Sequence, residues 1–109
     1  MRNGIYRAWL NGPSGVSSGA VVFKDGDIFA VDRLFAFNGR YSERAERLTA
    51  EVSCKRLYPD LKPLNLPDRD ELHLELEGAV GGEYAQVTGT IAEAPGFAVS
   101  FEFAFLCEA

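Results

Sequence analysis

Apolar and polar residues alternate with a period of two through most of this chain, and this alternation constrains the fold more than any other feature. Successive side chains of a β-strand point to opposite faces, so a period of two predicts strands with one packed and one solvated face. Such half-buried strands are typical of antiparallel sheets. The strongest example places five apolar side chains on one parity near the end of the chain: Phe97, Val99, Phe101, Phe103 and Phe105.

These five side chains are predicted to point into the protein. Large rings take up much of the volume that a chain of 109 residues can enclose, so we expect them to fill the core. The alternative is that they line an apolar cavity, because an eight-stranded barrel can also hold one small ligand.

Turn residues divide the alternating segments. Gly26, within Lys24-Asp25-Gly26-Asp27, marks a hairpin because glycine accepts the positive φ that tight hairpin turns require. Asn38 and Gly39 are interpreted as a β-bulge within one strand. The predicted strands lie near residues 4–10, 17–24, 27–31, 34–41, 47–56, 70–79, 84–92 and 97–106. Eight strands joined by short connections predict one all-β domain over residues 1–109, an antiparallel up-and-down, lipocalin-like barrel, with a two-sheet sandwich as the alternative.

One long connection, residues 58–67, interrupts this series of hairpins. Its three prolines exclude a central strand, because proline cannot donate to a β-ladder. We expect the segment to cross one end of the barrel, with room for a short helical turn. Leu61, Leu64 and Leu66 are then predicted to cover part of the interior.

The charge balance narrows the range of partners. The net charge of −5 argues against direct binding to nucleic acid or to an anionic membrane, and it favours a basic protein partner. Two cysteines, Cys54 and Cys107, are too few for a disulfide-rich secreted domain, and Cys54 is predicted to be a buried, reduced thiol. No signal peptide is visible, and no apolar run approaches the ~20 residues that span a membrane. We therefore expect a cytoplasmic protein.

The residues that carry chemistry do not form a recognisable catalytic set. The single histidine, His73, lies among Glu71, Glu75 and Glu77 on the polar face of a predicted strand. A nucleophilic triad cannot be built around it, and two ligands on a flat strand face make a poor zinc site, since zinc takes three or four protein ligands. The paired carboxylates lie in turns or on solvated faces, where their pKa values have no reason to shift. We expect no catalytic residue, no metal and no cofactor.

Several short motifs, spread over almost the whole chain, resemble one known family. They are Asn3-Gly4-Ile5-Tyr6, the hairpin Val22-Phe23-Lys24-Asp25-Gly26-Asp27-Ile28, the segment Phe37-Asn38-Gly39-Arg40-Tyr41, and Thr88-Gly89-Thr90. With these motifs the chain resembles the GrlR family, the negative regulators associated with bacterial type III secretion genes. The resemblance implies an eight-stranded, lipocalin-like barrel that acts by protein contact, commonly as a homodimer.

The resemblance also implies a place for that contact. In the best-known branch of the family an acidic surface loop engages a transcriptional activator, and the corresponding segment here is residues 42–47. Glu43, Arg44 and Glu46 are thus the candidate partner-binding residues. Glu43 and Glu46 keep the acidic character of the loop, whereas Arg44 and Ala45 depart from it.

Two hypotheses for the function follow. The first is a regulatory module that binds another protein, such as a transcriptional regulator, in the manner of the GrlR family. The second is a small lipocalin-like protein that binds an apolar ligand in its barrel. The volume of the interior discriminates between them, because a tightly filled barrel has no room for a ligand.

Overall fold

The computed structural model describes residues 1–109 and contains eight strands and no helix. The strands are β1 (Gly4–Gly12), β2 (Gly15–Lys24), β3 (Asp27–Val31), β4 (Phe35–Arg44), β5 (Arg47–Arg56), β6 (Glu71–Gly81), β7 (Tyr84–Ile91) and β8 (Val99–Cys107). Each strand pairs in antiparallel fashion with the next, and β8 returns to pair with β1, which closes the barrel. The predicted all-β, eight-stranded up-and-down barrel is confirmed, and the sandwich alternative is wrong.

The β2–β3 hairpin forms where the sequence predicts it. Lys24 pairs with Asp27, and the two turn residues between them, Asp25 and Gly26, have φ values of 52° and 87°. Positive φ at both central positions defines a type I′ turn, whose twist matches that of the strands it joins.

The bulge predicted at Asn38 and Gly39 is absent. The ladder between β4 and β5 runs without a shift from Phe35 opposite Arg56 to Arg44 opposite Arg47. Gly39 has a different role, because a Cβ there would lie 2.2 Å from the main-chain oxygen of Glu51. Glycine therefore lets two strands approach closely within a regular ladder, where the sequence alone suggested an inserted residue.

The connection between β5 and β6 contains no helical turn, contrary to the prediction. Its two local main-chain hydrogen bonds join the Leu61 N–H to the Tyr58 carbonyl at 3.1 Å and the Arg69 N–H to the Pro67 carbonyl at 2.9 Å, and neither belongs to a helix. Three prolines in ten residues remove the N–H donors that a helix needs. The prediction for the leucines was also too broad: Leu66 is buried, but Leu61 is exposed and Leu64 is 71% exposed.

A buried asparagine fastens this connection to the barrel. The Asn65 carbonyl oxygen Oδ1 accepts the Ser14 N–H at 3.1 Å, and its Nδ2 donates to the Ser17 hydroxyl at 2.6 Å. A Cβ at Gly12 would lie 2.7 Å from the Asn65 Cβ, so the two segments are in close contact. Asn65 thereby holds the tip of the β1–β2 hairpin against the end of the barrel.

A group of aromatic rings fills the interior near the other end. Phe23 is at its centre, with edge-to-face ring centroids 5.0 Å from Tyr6, 5.2 Å from Tyr41 and 5.2 Å from Phe103. Such pairs stabilise by about 0.5–1.5 kcal/mol beyond the area they bury. Phe103 also stacks on Phe101, with 6.0 Å between the centroids.

The five side chains of the last alternating segment differ in how deeply they are buried. Val99, Phe101 and Phe103 belong to the buried core, and Phe105 is partly buried against it. Phe97 lies before the strand, in a turn where its N–H donates to the Ala94 carbonyl at 2.9 Å, and its ring is also partly buried.

Phe103→Ala tests the assignment of the inner face. The ring contacts two other aromatic residues, so its removal is expected to lower the free energy of unfolding by about 3–5 kcal/mol in denaturant melts. Phe29→Ala is the matched control on the outer face, where the ring is 47% exposed, and it should cost less than about 1 kcal/mol. Equal losses for the two variants would contradict the inside-outside assignment.

Candidate functional site

The turn between β4 and β5 is tighter than the predicted segment of residues 42–47. Both strands continue to the turn, and Arg44 pairs with Arg47. Only Ala45 and Glu46 are left to reverse the chain, with φ values of 50° and 62°. This is the left-handed region, which disfavours residues with a Cβ by roughly 1–2 kcal/mol each. The turn thus has the type I′ geometry without the glycine or asparagine that usually occupies it.

The three candidate partner-binding residues do not form one surface. Glu43 occupies an inward-facing position of β4 and pairs with the buried Leu48. Its carboxylate accepts a hydrogen bond from the N-terminal ammonium of Met1. Arg44 points outward from the same strand, and Glu46 lies in the turn; both side chains are exposed and neither forms an ion pair within the chain. Glu46 is held through its main chain, since its carbonyl accepts the Val80 N–H at 3.0 Å.

Charges around this turn are mixed. The Arg47 guanidinium donates to the Glu77 carboxylate at 3.0 Å on the neighbouring strand. Arg44 is exposed as well, so the carboxylate of Glu46 lies between two arginines, whereas the resemblance led us to expect an acidic loop. A partner that contacts it therefore meets one free carboxylate and one free guanidinium.

The second candidate site is a cavity inside the barrel. Its volume is about 90 Å³, and 13 of its 17 lining residues are hydrophobic. Phe101 and Phe103 of β8 form part of its wall, together with Leu74 and Leu76 of β6. The rings of the last strand consequently do both things that the sequence suggested: they fill one end of the barrel and line a small apolar space in the rest.

This cavity opens through the side of the barrel, because β2 and β3 differ in length. β2 has ten residues and β3 has five, so residues 15–20 of β2 extend beyond the end of β3. Ser17 and Gly19 lie on the inner face of this extension, line the cavity and are exposed to solvent. The opposite side of the opening carries Val31 and Asp32, which are exposed as well. This opening between residues 15–20 of β2 and the end of β3 is called the window below, and nothing local in the sequence marks it.

His73 has a partner that the sequence analysis did not name. Its Nδ1 lies 2.6 Å from the Glu93 carboxylate, which also accepts the His73 main-chain N–H at 2.8 Å. The hydrogen bond to Glu93, reinforced by the charge of Glu93, raises the pKa of His73 above its usual value and lowers the pKa of Glu93. The charge of Glu71 adds a smaller contribution in the same direction to the pKa of His73. The His73–Glu93 pair joins the start of β6 to the turn before β8.

Cys54 is buried in the core and Cys107 is exposed, and neither forms a disulfide. Burial raises the pKa of the Cys54 thiol to about 12, so the thiol is protonated and unreactive at neutral pH.

No family model matches the chain, and no curated protein matches it either. The resemblance to the GrlR family therefore remains a prediction from the sequence motifs. The structure has no helix with the length and hydrophobicity needed to span a membrane.

Proposed function

We propose that this protein is a regulator without catalytic activity that acts by binding another protein, as the resemblance to the GrlR family implies. The partner class is that of the family, a transcriptional activator, and the effect on it is negative. The turn at Ala45 and Glu46 is the contact that we assign to this function.

The observation that carries the proposal is the conformation of Glu46. Its φ of 62° strains a residue that has a Cβ, and glycine at this position would relieve the strain. Its carboxylate has no ion-pair partner in the chain that would offset the strain. Local strain of this kind is concentrated at binding and catalytic sites, where a side chain is kept for its contacts with another molecule. A binding role for Glu46 supplies such a reason.

A second function is supported by the cavity. An apolar space of about 90 Å³ with an opening to solvent is smaller than most ligand pockets and has room for one small, uncharged apolar group. In that case the protein is a small lipocalin-like binder, and the ligand enters between β2 and the end of β3. The mixed charge of the β4–β5 turn has no part in this second proposal.

We also propose that the protein is a homodimer, again from the resemblance. The connection between β5 and β6 offers the surface with the best fit, because four large apolar side chains are exposed along it: Leu57, Tyr58, Leu61 and Leu64. Contiguous exposed apolar residues are typical of interfaces between proteins. The prolines of the same segment limit its freedom in the monomer, which reduces the entropy lost on association.

Variants of Glu46 test the regulatory proposal. Glu46→Lys is expected to abolish capture of a transcriptional activator from the native cell. Glu46→Gly should also weaken capture while raising the free energy of unfolding by about 1 kcal/mol, since it relieves the positive φ. Glu71→Lys makes the same charge change at an exposed residue of β6 and serves as the control. Capture that is equal for all four proteins, or a captured partner of another class, would contradict the proposal.

Sedimentation velocity at micromolar concentration tests the dimer. Wild-type protein is expected to sediment as a dimer, and Leu64→Asp as a monomer with an unchanged melting temperature, because Leu64 is 71% exposed. Leu106→Asp changes an exposed leucine of β8 in the same way and should remain dimeric. A monomeric wild type, or a dimer that Leu64→Asp leaves intact, would rule out this interface.

A further inference from the structure

The closed barrel retains one unpaired strand edge. Only Val21 to Lys24 of β2 pair with β3, so residues 15–20 have β1 on one side and no strand on the other. A free edge exposes main-chain N–H and C=O groups that can pair with another extended chain.

The hairpin geometry identifies the unpaired groups. Gly12 and Gly15 flank the two-residue β1–β2 turn, and the pair at that position exchanges main-chain hydrogen bonds. Hydrogen bonding alternates along an antiparallel strand, so Ser17 and Gly19 also bond to β1, opposite Leu10 and Ala8. The N–H and C=O groups of Val16 and Ser18 therefore point away from β1 into the window.

This edge lacks the usual protection against pairing. Natural edges carry charged side chains, proline or a bulge, whereas residues 15–20 have the sequence Gly-Val-Ser-Ser-Gly-Ala and an unshifted register with β1. The edge is also held in position, because Asn65 bonds to Ser14 and Ser17 at its beginning. A partner strand would meet a preformed template and lose little entropy in ordering it.

The window joins this edge to the apolar cavity. Side chains of an added strand alternate between the two faces, so every second one points inward beside Ser17 and Gly19. A Cβ built at Gly19 has no atom within 4 Å, which leaves room for a neighbouring side chain to pass. The outward side chains of the added strand lie next to Val16 on β2, itself 65% exposed.

We propose that the β2 edge binds an extended peptide segment of a partner protein, which adds a strand beside residues 15–20 and inserts one apolar side chain into the cavity. The segment carries a lysine or arginine that reaches Asp32 at the window. Main-chain bonds to Val16 and Ser18 supply affinity, and the cavity supplies specificity for the inserted side chain. This interaction lies on a different surface from the Glu46 turn and is independent of it.

Two observations favour such a peptide over a second copy of this chain. A copy that paired through the same edge would present Ser17 and Gly19 toward the window, and these side chains are too small to fill the cavity. It would also bring together two chains of net charge −5 and their two Asp32 carboxylates. In each chain Oδ1 of Asp32 accepts the Leu34 and Phe35 N–H groups at 2.7 Å, and no cation of the chain pairs with the carboxylate. A peptide with an apolar and a basic side chain can fill the cavity with the first and pair with Asp32 through the second.

The experiment uses a short, capped, fluorescently labelled peptide of alternating threonine and leucine with a lysine at each end. Anisotropy measures its Kd for the full-length protein. Trp9, the only tryptophan, stands opposite Ser18 in the β1–β2 ladder, so its emission should change on binding at this edge. A second peptide with glutamate in place of lysine should bind at least about tenfold more weakly.

Variants at the edge and at the window distinguish the two contacts. Ser18→Pro removes a donor from the free edge without breaking a bond to β1 and should weaken binding about tenfold, whereas Ser18→Ala keeps the donor and should bind like wild type. Gly19→Leu fills the window and should also weaken binding, with its melting temperature confirming that it folds. Glu46→Lys should leave peptide binding unchanged, so failure of the regulatory proposal does not affect this test.

The proposal is overturned if the lysine peptide does not bind, or if Ser18→Pro and Gly19→Leu bind it as wild type does. Equal binding of the glutamate peptide removes the role of Asp32. Sedimentation that shows a wild-type dimer and a monomeric Ser18→Pro assigns the edge to a second copy. A naphthalene dye that binds wild type but not Gly19→Leu, without binding of the peptide, assigns the cavity to a small molecule.

Discussion

The pairing of β1 with both β2 and β8 is the interaction on which the structure depends, because it turns eight strands into a closed ring. Closure leaves a sheet without edges only where neighbouring strands have similar lengths. β3 has half the length of β2, and the ring is therefore complete along one part of β2 and open along the other. The window, the free edge and the access to the cavity all follow from this single mismatch.

The packing of the interior also differs between the part of the barrel where β2 pairs with β3 and the part where it does not. Rings grouped around Phe23 occupy the barrel where β2 and β3 are paired, and Leu66 and Asn65 of the long connection cover its far end. Between them the inner face of β2 offers only Ser17 and Gly19, which leaves the apolar walls of β6 and β8 facing a cavity.

Features that depend on one strand at a time could be predicted from the sequence. Alternation placed β3 at residues 27–31 and β5 at residues 47–56 with the bounds that the structure has, and Gly26 located the hairpin between β2 and β3. Features that depend on two segments could not. The role of Gly39 is set by the approach of Glu51, the partner of His73 comes from a distant turn, and the positive φ of Ala45 and Glu46 contradicts their local preference. The window likewise depends on a difference in length that neither strand encodes alone.

Amide hydrogen exchange measured residue by residue in the free protein tests the open edge most directly. The account predicts an alternation within one strand: the amides of Val16 and Ser18 exchange rapidly, while those of Ser17 and Gly19, bonded to β1, are protected. All four amides lie in the same exposed segment, so solvent access alone would not produce this difference. If the amides of Val16 and Ser18 were as protected as those of Ser17 and Gly19, the edge would be paired, which would contradict the account.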